Sequence, residues 1–394
     1  SSFQEQIDIL NFIPGKYDWA EAFHVSNQLI GRKNELKILT GLYEDVIESG
    51  LSVFSVISGP SGTGKTFLIN EFRKELTVNN FVFIHGGKYD QIKIAEPYSL
   101  LIAFFKSFIN IIMTKTPEKI TFWKDLIIKA IEPFEKFIIE IIPDLKVFLS
   151  LPAHEAKVEE PEVQNRIRPI ILKLMESILN TEKVFFVFID DIQWLDSSSL
   201  EILKSLIIER PKGNLFAIST YRTEDENIEA EFTGFLAEIE QVKERFRKIE
   251  LGNMDINSVN KLIANTLHCE PESLYELNKL VYEKTDGNAF FVAQFLNSLY
   301  REKLLTFSYK DMAWDWSIEK IKSQNVTDNI VFMLTTKLKE LPNETQNILK
   351  ISGEMQSNLV PLGHPTLNPY LANYPPNSCS VQTFNLNDVK FFII

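Results

Sequence analysis

Gly59-Pro60-Ser61-Gly62-Thr63-Gly64-Lys65-Thr66 is a complete G-x-x-x-x-G-K-T, and both of its flanks agree with it. Before it runs Val53 to Ser58, an apolar stretch bounded by glycine, which is the pattern of a strand buried on both faces. After it, Phe67 to Leu76 takes up helical spacing. Between a strand and a helix the glycines let successive amide hydrogens turn inward to cradle a phosphate, and the positive end of a helix opening near Lys65 adds to them. Lys65 supplies a mobile charge for the outer phosphates, and Thr66 offers a hydroxyl to Mg²⁺. Gly59, Pro60, Ser61, Gly62, Thr63, Gly64, Lys65 and Thr66 are thus the candidate phosphate-binding residues, with Lys65 also a candidate in catalysis.

Such a loop needs a carboxylate partner. Val184 to Ile189 is an unbroken apolar run that ends in Asp190-Asp191. A buried strand delivers Asp190 at its carboxyl end, beside the loop, where it can hold the magnesium shell together with Thr66. Asp191, next in line, can orient an attacking water, a role in which the longer glutamate is commoner. Leu215 to Thr220 is another buried strand, followed by Tyr221-Arg222. Thr220 and Arg222 suit a sensor of the outermost phosphate, although Arg222 could equally pair with Glu224 or Asp225 on the surface. No Asn-Lys-x-Asp follows any strand, so a guanine reader is missing and ATP is favoured by elimination.

Two more strands, Phe81 to Ile84 and Lys248 to Leu251, complete five, separated by helical patterns, and this alternation argues an α/β parallel sheet. Asn34 reads as the cap of the first helix, and His85-Gly86-Gly87-Lys88-Tyr89-Asp90 as a turn. From Tyr98 to Leu179 the pattern is helical, broken at Pro117, Pro133, Pro143, Pro152 and Pro161. After Asn253 no convincing strand of that kind recurs and the periodicity is helical, over Val259 to Leu267, Leu274 to Glu283 and Phe290 to Glu302. Trp314, Trp316 and Val331 to Leu341 suggest the start of a winged-helix unit. The expected division is a connecting segment over 1–27, the nucleotide-binding core over 28–252, a helical lid over 253–307, a partial winged-helix-like unit over 308–353 and an irregular tail over 354–394.

Composition narrows the function classes. Among 394 residues, 41 basic against 53 acidic side chains give a net charge of −12, which counts against a dedicated nucleic-acid or anionic-membrane binder. Lys243, Arg245, Arg247 and Lys248 make a small basic cluster that reads as a solvated helix face. Phe104, Phe105, Phe108 and Trp194 fall at spacings that make them core rather than a stacking platform. Two distant cysteines and five scattered histidines imply neither a disulfide framework nor a zinc site. The apolar stretch from Leu100 to Met113 is interrupted by Lys106 and Asn110, too short for a membrane span, so a soluble protein of a reducing, cytoplasmic compartment is expected. The first Met is Met113, and residues 357 to 394 hold five of the 17 prolines, so a piece of a longer chain with an aberrant end is expected.

At these motifs the chain resembles the STAND branch of the AAA+ superfamily, in its origin-recognition-like AAA group. Gln28-Leu29-Ile30-Gly31-Arg32 with Glu35 looks like the family's N-terminal motif, whose loop lies near the adenine, and this makes Gly31 and Arg32 implied cofactor-binding residues. Closer still is the similarity of Gly87-Lys88-Tyr89-Asp90-Gln91, Pro97-Tyr98, Val163-Gln164-Asn165-Arg166 and Asp190-Asp191-Ile192-Gln193-Trp194-Leu195-Asp196 to the ATPase module of large hybrid signalling kinases. Gly287-Asn288-Ala289-Phe290-Phe291 matches Gly-Asn-Pro-Phe-Phe of the family's helical domain, except that Ala289 replaces a proline associated with the base. Trp314-Asp315-Trp316 with Leu341-Pro342 matches the start of the next unit. The resemblance covers roughly residues 10 to 353. It implies a P-loop NTPase fold of the AAA+ (ASCE) type, ATP and Mg²⁺ as ligands, and a regulatory ATPase whose nucleotide state gates domains of the same parent chain or signalling partners. Two other classes are weighed beside it: a DNA-associated ATPase of origin-recognition type, which salt-dependent DNA binding would reveal, and a scaffold that no longer uses nucleotide, against which Lys65, Thr66, Asp190 and Asp191 all stand.

Overall fold

The computed structural model describes residues 23–76, 81–89, 96–151, 161–181, 183–209, 212–224, 230–309, 311–323, 345, 382–386 and 389–393. In chain order the elements are α1 (Lys33–Ser49), β1 (Val53–Gly59), α2 (Lys65–Glu75), β2 (Phe81–Lys88), α3 (Ser99–Ile112), α4 (Pro117–Ile131), α5 (Glu135–Ile141), α6 (Pro143–Leu149) and α7 (Pro161–Leu179). There follow β3 (Val184–Asp190), α8 (Ser197–Lys204), β4 (Leu215–Arg222), α9 (Ala230–Ile239), β5 (Phe246–Glu250), α10 (Ile256–Leu267), α11 (Tyr275–Thr285) and α12 (Ala289–Arg301). The chain then forms β6 (Leu305–Ser308), β7 (Ala313–Trp316), α13 (Ile318–Ser323), β8 (Gln382–Leu386) and β9 (Val389–Ile393). They divide into two compact units, one of His24–Tyr275 with Asp286–Gln294, the other of Ser1–Phe23, Glu276–Thr285 and Phe295–Ile394.

In the first unit five strands form one parallel sheet in the order β2-β3-β4-β1-β5. β1 and β3 are buried at every position, as continuous apolar runs require when both faces are covered, whereas β5 at the edge buries Phe246 and Ile249 and exposes Arg247, Lys248 and Glu250. Alternation along each strand splits the core. Phe185, Val187 and Ile189 face the side covered by α3 to α9, while Val184, Phe186 and Phe188 face the side that α1 and α2 cover. Phe104, Phe105 and Phe108 are buried in the first of these cores, as expected, and Trp194 is half-buried. Because β4 lies between β1 and β3, the end of β4 falls between the phosphate loop and Asp190.

Local chemistry sets several boundaries. Pro117 and Pro143 stand at helix starts, where a missing N–H costs nothing, so these prolines divide the helical region by opening new helices. Asp196 caps two helices at once. Its Oδ1 accepts from Ser199 N (2.9 Å) and Tyr98 N (3.0 Å), and its Oδ2 from Ser99 N (3.1 Å) and the hydroxyls of Ser99 and Ser199 (2.6 Å each). α3 has no cap side chain of its own, since Tyr98 precedes it in the left-handed region at φ 64°. Asp196→Ala is therefore expected to lower this unit's stability by roughly 2–4 kcal/mol, because each helix N-terminus loses about 0.5–2 kcal/mol and the hydroxyls of buried Ser199 and half-buried Ser99 lose a charged acceptor. Urea unfolding measures it, and a loss under about 0.5 kcal/mol would refute the double cap.

Four expectations are corrected. β2 runs on through His85, Gly86, Gly87 and Lys88, where a turn was expected. α1 begins at Lys33 behind Arg32, so Asn34 is inside the helix and not its cap. The basic cluster is no helix face: Arg247 and Lys248 belong to β5, and Arg245 donates to the carbonyl of Ile207. Residues 354–394, expected to be irregular, contain the antiparallel pair β8–β9.

In the second unit β6 and β7 form an antiparallel hairpin, with Trp314 opposite Phe307 and Trp316 opposite Leu305. Trp314 is buried among the rings of Phe23, Tyr300 and Phe307 at centroid distances of 5.3, 5.9 and 5.4 Å. The helix expected over Val331 to Leu341 lies outside the described residues, as do Pro152, Asp90-Gln91 and Leu341-Pro342. Among the described residues no helix is long and apolar enough to cross a membrane.

Candidate functional site

The site sits where a parallel sheet of this order places it, at the carboxyl ends of β1, β4 and β3. Between β1 and α2 the loop turns through Gly62 (φ 80°) and Gly64 (φ 92°). Lys65 opens α2 and is itself buried, its ammonium donating to the carbonyls of Gly59 and Pro60 at 2.7 Å each. Burial lowers its pKa from 10.5 to about 8, against the pull of Asp191 in the other direction, with Arg222 lowering it further. Thr63 ties the loop from within by donating to Pro60 O (2.9 Å).

Across the sheet, Asp190 gathers donors. Thr220 Oγ1 donates to its Oδ1 at 2.5 Å, and Thr66 Oγ1 to the same oxygen at 3.2 Å. Asp191 follows in the left-handed region at φ 56°, and its N–H donates to Thr220 Oγ1 (3.0 Å). One threonine therefore links the two carboxylate residues. Arg222 grips Asp191 with both ends of its fork, Nε to Oδ1 at 3.1 Å and Nη2 to Oδ2 at 2.9 Å. The surface pairing of Arg222 with Glu224 is not what forms; Glu224 instead accepts from Ser61 N at 2.7 Å, and Asp225 lies outside the described residues.

A segment more than two hundred residues downstream closes the loop from outside. Asn288 Nδ2 donates to Ser61 O (2.8 Å), a separation of 227 residues, and Phe290 N donates to Gly62 O (3.0 Å). A side chain at Gly62 would collide with Asn288 and with Phe290 Cβ, so this docking needs glycine there. Gly31 and Arg32 stand apart from the phosphate-side cluster. Gly31 faces Ser258 on α10, and Arg32 donates to Gly252 O (2.5 Å) and pairs with Glu35 (3.5 Å).

Structure thus brings Lys65, Thr66, Asp190, Asp191, Thr220 and Arg222 together. Sequence reasoning missed the contact of Glu224 with the loop and the contacts of Asn288 and Phe290. The downstream Gly-Asn-Ala-Phe-Phe was visible as a motif, but nothing local says which backbone its asparagine meets.

The groups present suit a phosphate and a hard divalent cation. A Cβ built on Gly64 would meet nothing within 4 Å, so the loop is open at that position beside the α2 N-terminus. Thr66 and Asp190 place oxygen donors side by side, the type Mg²⁺ takes. Among the described residues no three His, Cys, Asp or Glu side chains gather to hold a metal alone.

Comparison with known proteins agrees with this geometry. The family model described as "AAA ATPase domain" matches residues 28–218. Hybrid signal transduction histidine kinase G of Dictyostelium discoideum is 28% identical over 407 residues, covering 87% of this chain. The chain spans only 12% of that relative's length. Among solved structures, Cdc6p from Pyrobaculum aerophilum aligns with a TM-score of 0.40 at 13% identity, over 71% of this chain and 65% of that one. A signal transduction ATPase with numerous domains (STAND) from Pyrococcus horikoshii, with a tetratricopeptide repeat sensor, aligns at 0.37 and 16% identity, over 84% of this chain and 35% of that one. With phosphate loop, sheet order and family model in agreement, the chain carries an AAA ATPase domain over residues 28–218.

Proposed function

We propose that the chain is an ATP-binding regulatory module of a multidomain signalling protein, in which the segment Asp286–Gln294 reads the state of the phosphate loop and slow hydrolysis resets it. The observation that carries this reading is the bonding of Asn288 and Phe290 to the backbone of Ser61 and Gly62, since a loop that adjusts to phosphates then disturbs the start of α12. In this reading Lys65 and the loop amides hold the phosphates, while Thr66 and Asp190 hold the magnesium shell. Mg²⁺, when bound, neutralises phosphate charge. Gly31 and Arg32 lie toward the base, and Ala289 leaves the helical segment without a proline there.

A slow catalyst suits Asp191, because a carboxylate clasped by Arg222 has both oxygens engaged and must give up that pair before it can orient water. Arg222 is then the residue that exchanges Asp191 for the outermost phosphate. The attached partners would be domains of the parent chain or signalling proteins, in keeping with the similarity to a hybrid signal transduction histidine kinase of Dictyostelium discoideum.

ATP with Mg²⁺ is expected to displace a fluorescent nucleotide analogue at least tenfold better than GTP, and to change amide exchange over residues 286–294. Equal displacement by GTP would defeat the base assignment, and unchanged exchange would defeat the reading of the loop by that segment.

A further inference from the structure

β2 is an edge strand, and a lysine at its end would ordinarily point into water, where it discourages unwanted pairing. Lys88 does something else. The ladder between β2 and β3 breaks register between His85 and Lys88 and resumes with Lys88 opposite Asp190. An extra residue of this kind re-aims every side chain beyond it.

The irregularity is secured from several directions. Gly87 adopts φ 104°, open only to glycine, and Tyr89 folds back to donate its phenol to Gly86 O at 2.6 Å. Burial pushes the Tyr89 phenol up, so it stays a donor. Tyr89 N donates to Asp190 O at 3.2 Å, binding the strand end to β3. A side chain on Gly86 would press within 3.0 Å of Phe188 O and Leu100. The product of this construction is a half-exposed lysine whose ammonium lies 4.0 Å from Asp190 Oδ2. Oδ1 is the oxygen that Thr220 and Thr66 approach closely, which leaves Oδ2 toward Lys88.

We propose that Lys88 is a second phosphate-binding lysine, which reaches the site past Asp190 from the flank opposite Lys65 and recognises the terminal phosphoryl group of a nucleoside triphosphate. The proposal rests on the nucleotide reading above. Because β3 separates β2 from β4 and β1, the loop and Lys65 approach phosphates from one side of Asp190 and Lys88 from the other. In this arrangement the outermost phosphate is the group that Lys88 would meet, and a diphosphate, lacking it, would make no use of Lys88. A flexible, partly exposed stem lets the ammonium leave Asp190 for the phosphate without rearranging the backbone.

Calorimetric titration of the full chain with a non-hydrolysable ATP analogue and with ADP, both with Mg²⁺, tests this. Lys88→Ala is expected to weaken the triphosphate by about 5- to 20-fold while ADP affinity stays within twofold, and Lys88→Arg to recover most of the difference. If the parent binds both nucleotides but Lys88→Ala keeps the parent's ratio, this proposal falls alone. An equal loss for both nucleotides, or no recovery by Lys88→Arg alongside a loss of ADP binding, also overturns it. A parent chain that binds neither nucleotide sinks the nucleotide reading and this proposal with it.

Discussion

Asp191→Asn is expected to slow single-turnover phosphate release by about 10²- to 10⁴-fold while leaving triphosphate affinity within a few-fold of the parent. The neutral amide keeps the size and one acceptor of the carboxylate, so Arg222 retains a partner, but water in the transition state loses a base or an orienting charge. Asp190→Asn should behave differently, weakening Mg²⁺-dependent binding as well, because that carboxylate lies against Thr66 and Thr220. Asp191→Glu, with one more methylene, is expected to turn over at least as fast as the parent. Should Asp191→Asn release phosphate like the parent, or lose binding as badly as Asp190→Asn, then Asp191 is a structural partner of Arg222 and nothing more.

Lys65→Ala should weaken ATP binding by roughly 10- to 150-fold, the worth of a charge-assisted contact of ~1.5–3 kcal/mol. Acidity adds a second signature. Below about pH 8 the ammonium is charged in free and bound protein alike, and affinity is flat. Above it the free protein sheds the proton while bound phosphates retain it, so affinity falls by up to ~10-fold per pH unit. Stability moves the other way: between about 8 in the folded chain and 10.5 in the unfolded one, the unfolded chain holds more protons, so Lys65 contributes more stability as pH rises. Lys65→Arg should keep binding flat well past pH 8. Unchanged affinity in Lys65→Ala would mean that phosphate binds elsewhere.

What was legible in the sequence is what local pattern controls. Val53 to Ser58, Val184 to Ile189 and Leu215 to Thr220 are buried on both faces, and such strands announce themselves as unbroken apolar runs. Their ends carried Lys65, Thr66, Asp190, Asp191 and Arg222, and these meet. Edges were harder: β5 begins two residues before its first expected residue, because the exposed charges Arg247 and Lys248 interrupt its apolar pattern. β2 was cut short at Ile84 because Gly86-Gly87 reads as a turn wherever tertiary contacts do not hold it extended. Nor does local pattern give partners across the sheet. Arg222 and Asp191 lie 31 residues apart, and only the insertion of β4 beside β3 makes them neighbours rather than Arg222 and Glu224.

The clasp of Asn288 and Phe290 on the phosphate loop also dictates an order of assembly. The two hydrogen bonds that finish the loop's outer edge join Ser61 and Gly62 to residues made 227 and 228 positions later. Strand pairing in the sheet joins residues no later than Glu250, across as many as 192 positions, and the caps of α3 and α8 join residues no later than Ser199, so these contacts have both partners before Asn288 is made. During synthesis the sheet can therefore settle while the phosphate loop still lacks its outer support. The nucleotide pocket is the last part of this unit to mature, and a chain released before Gln294 carries every phosphate-binding residue without the frame that holds them.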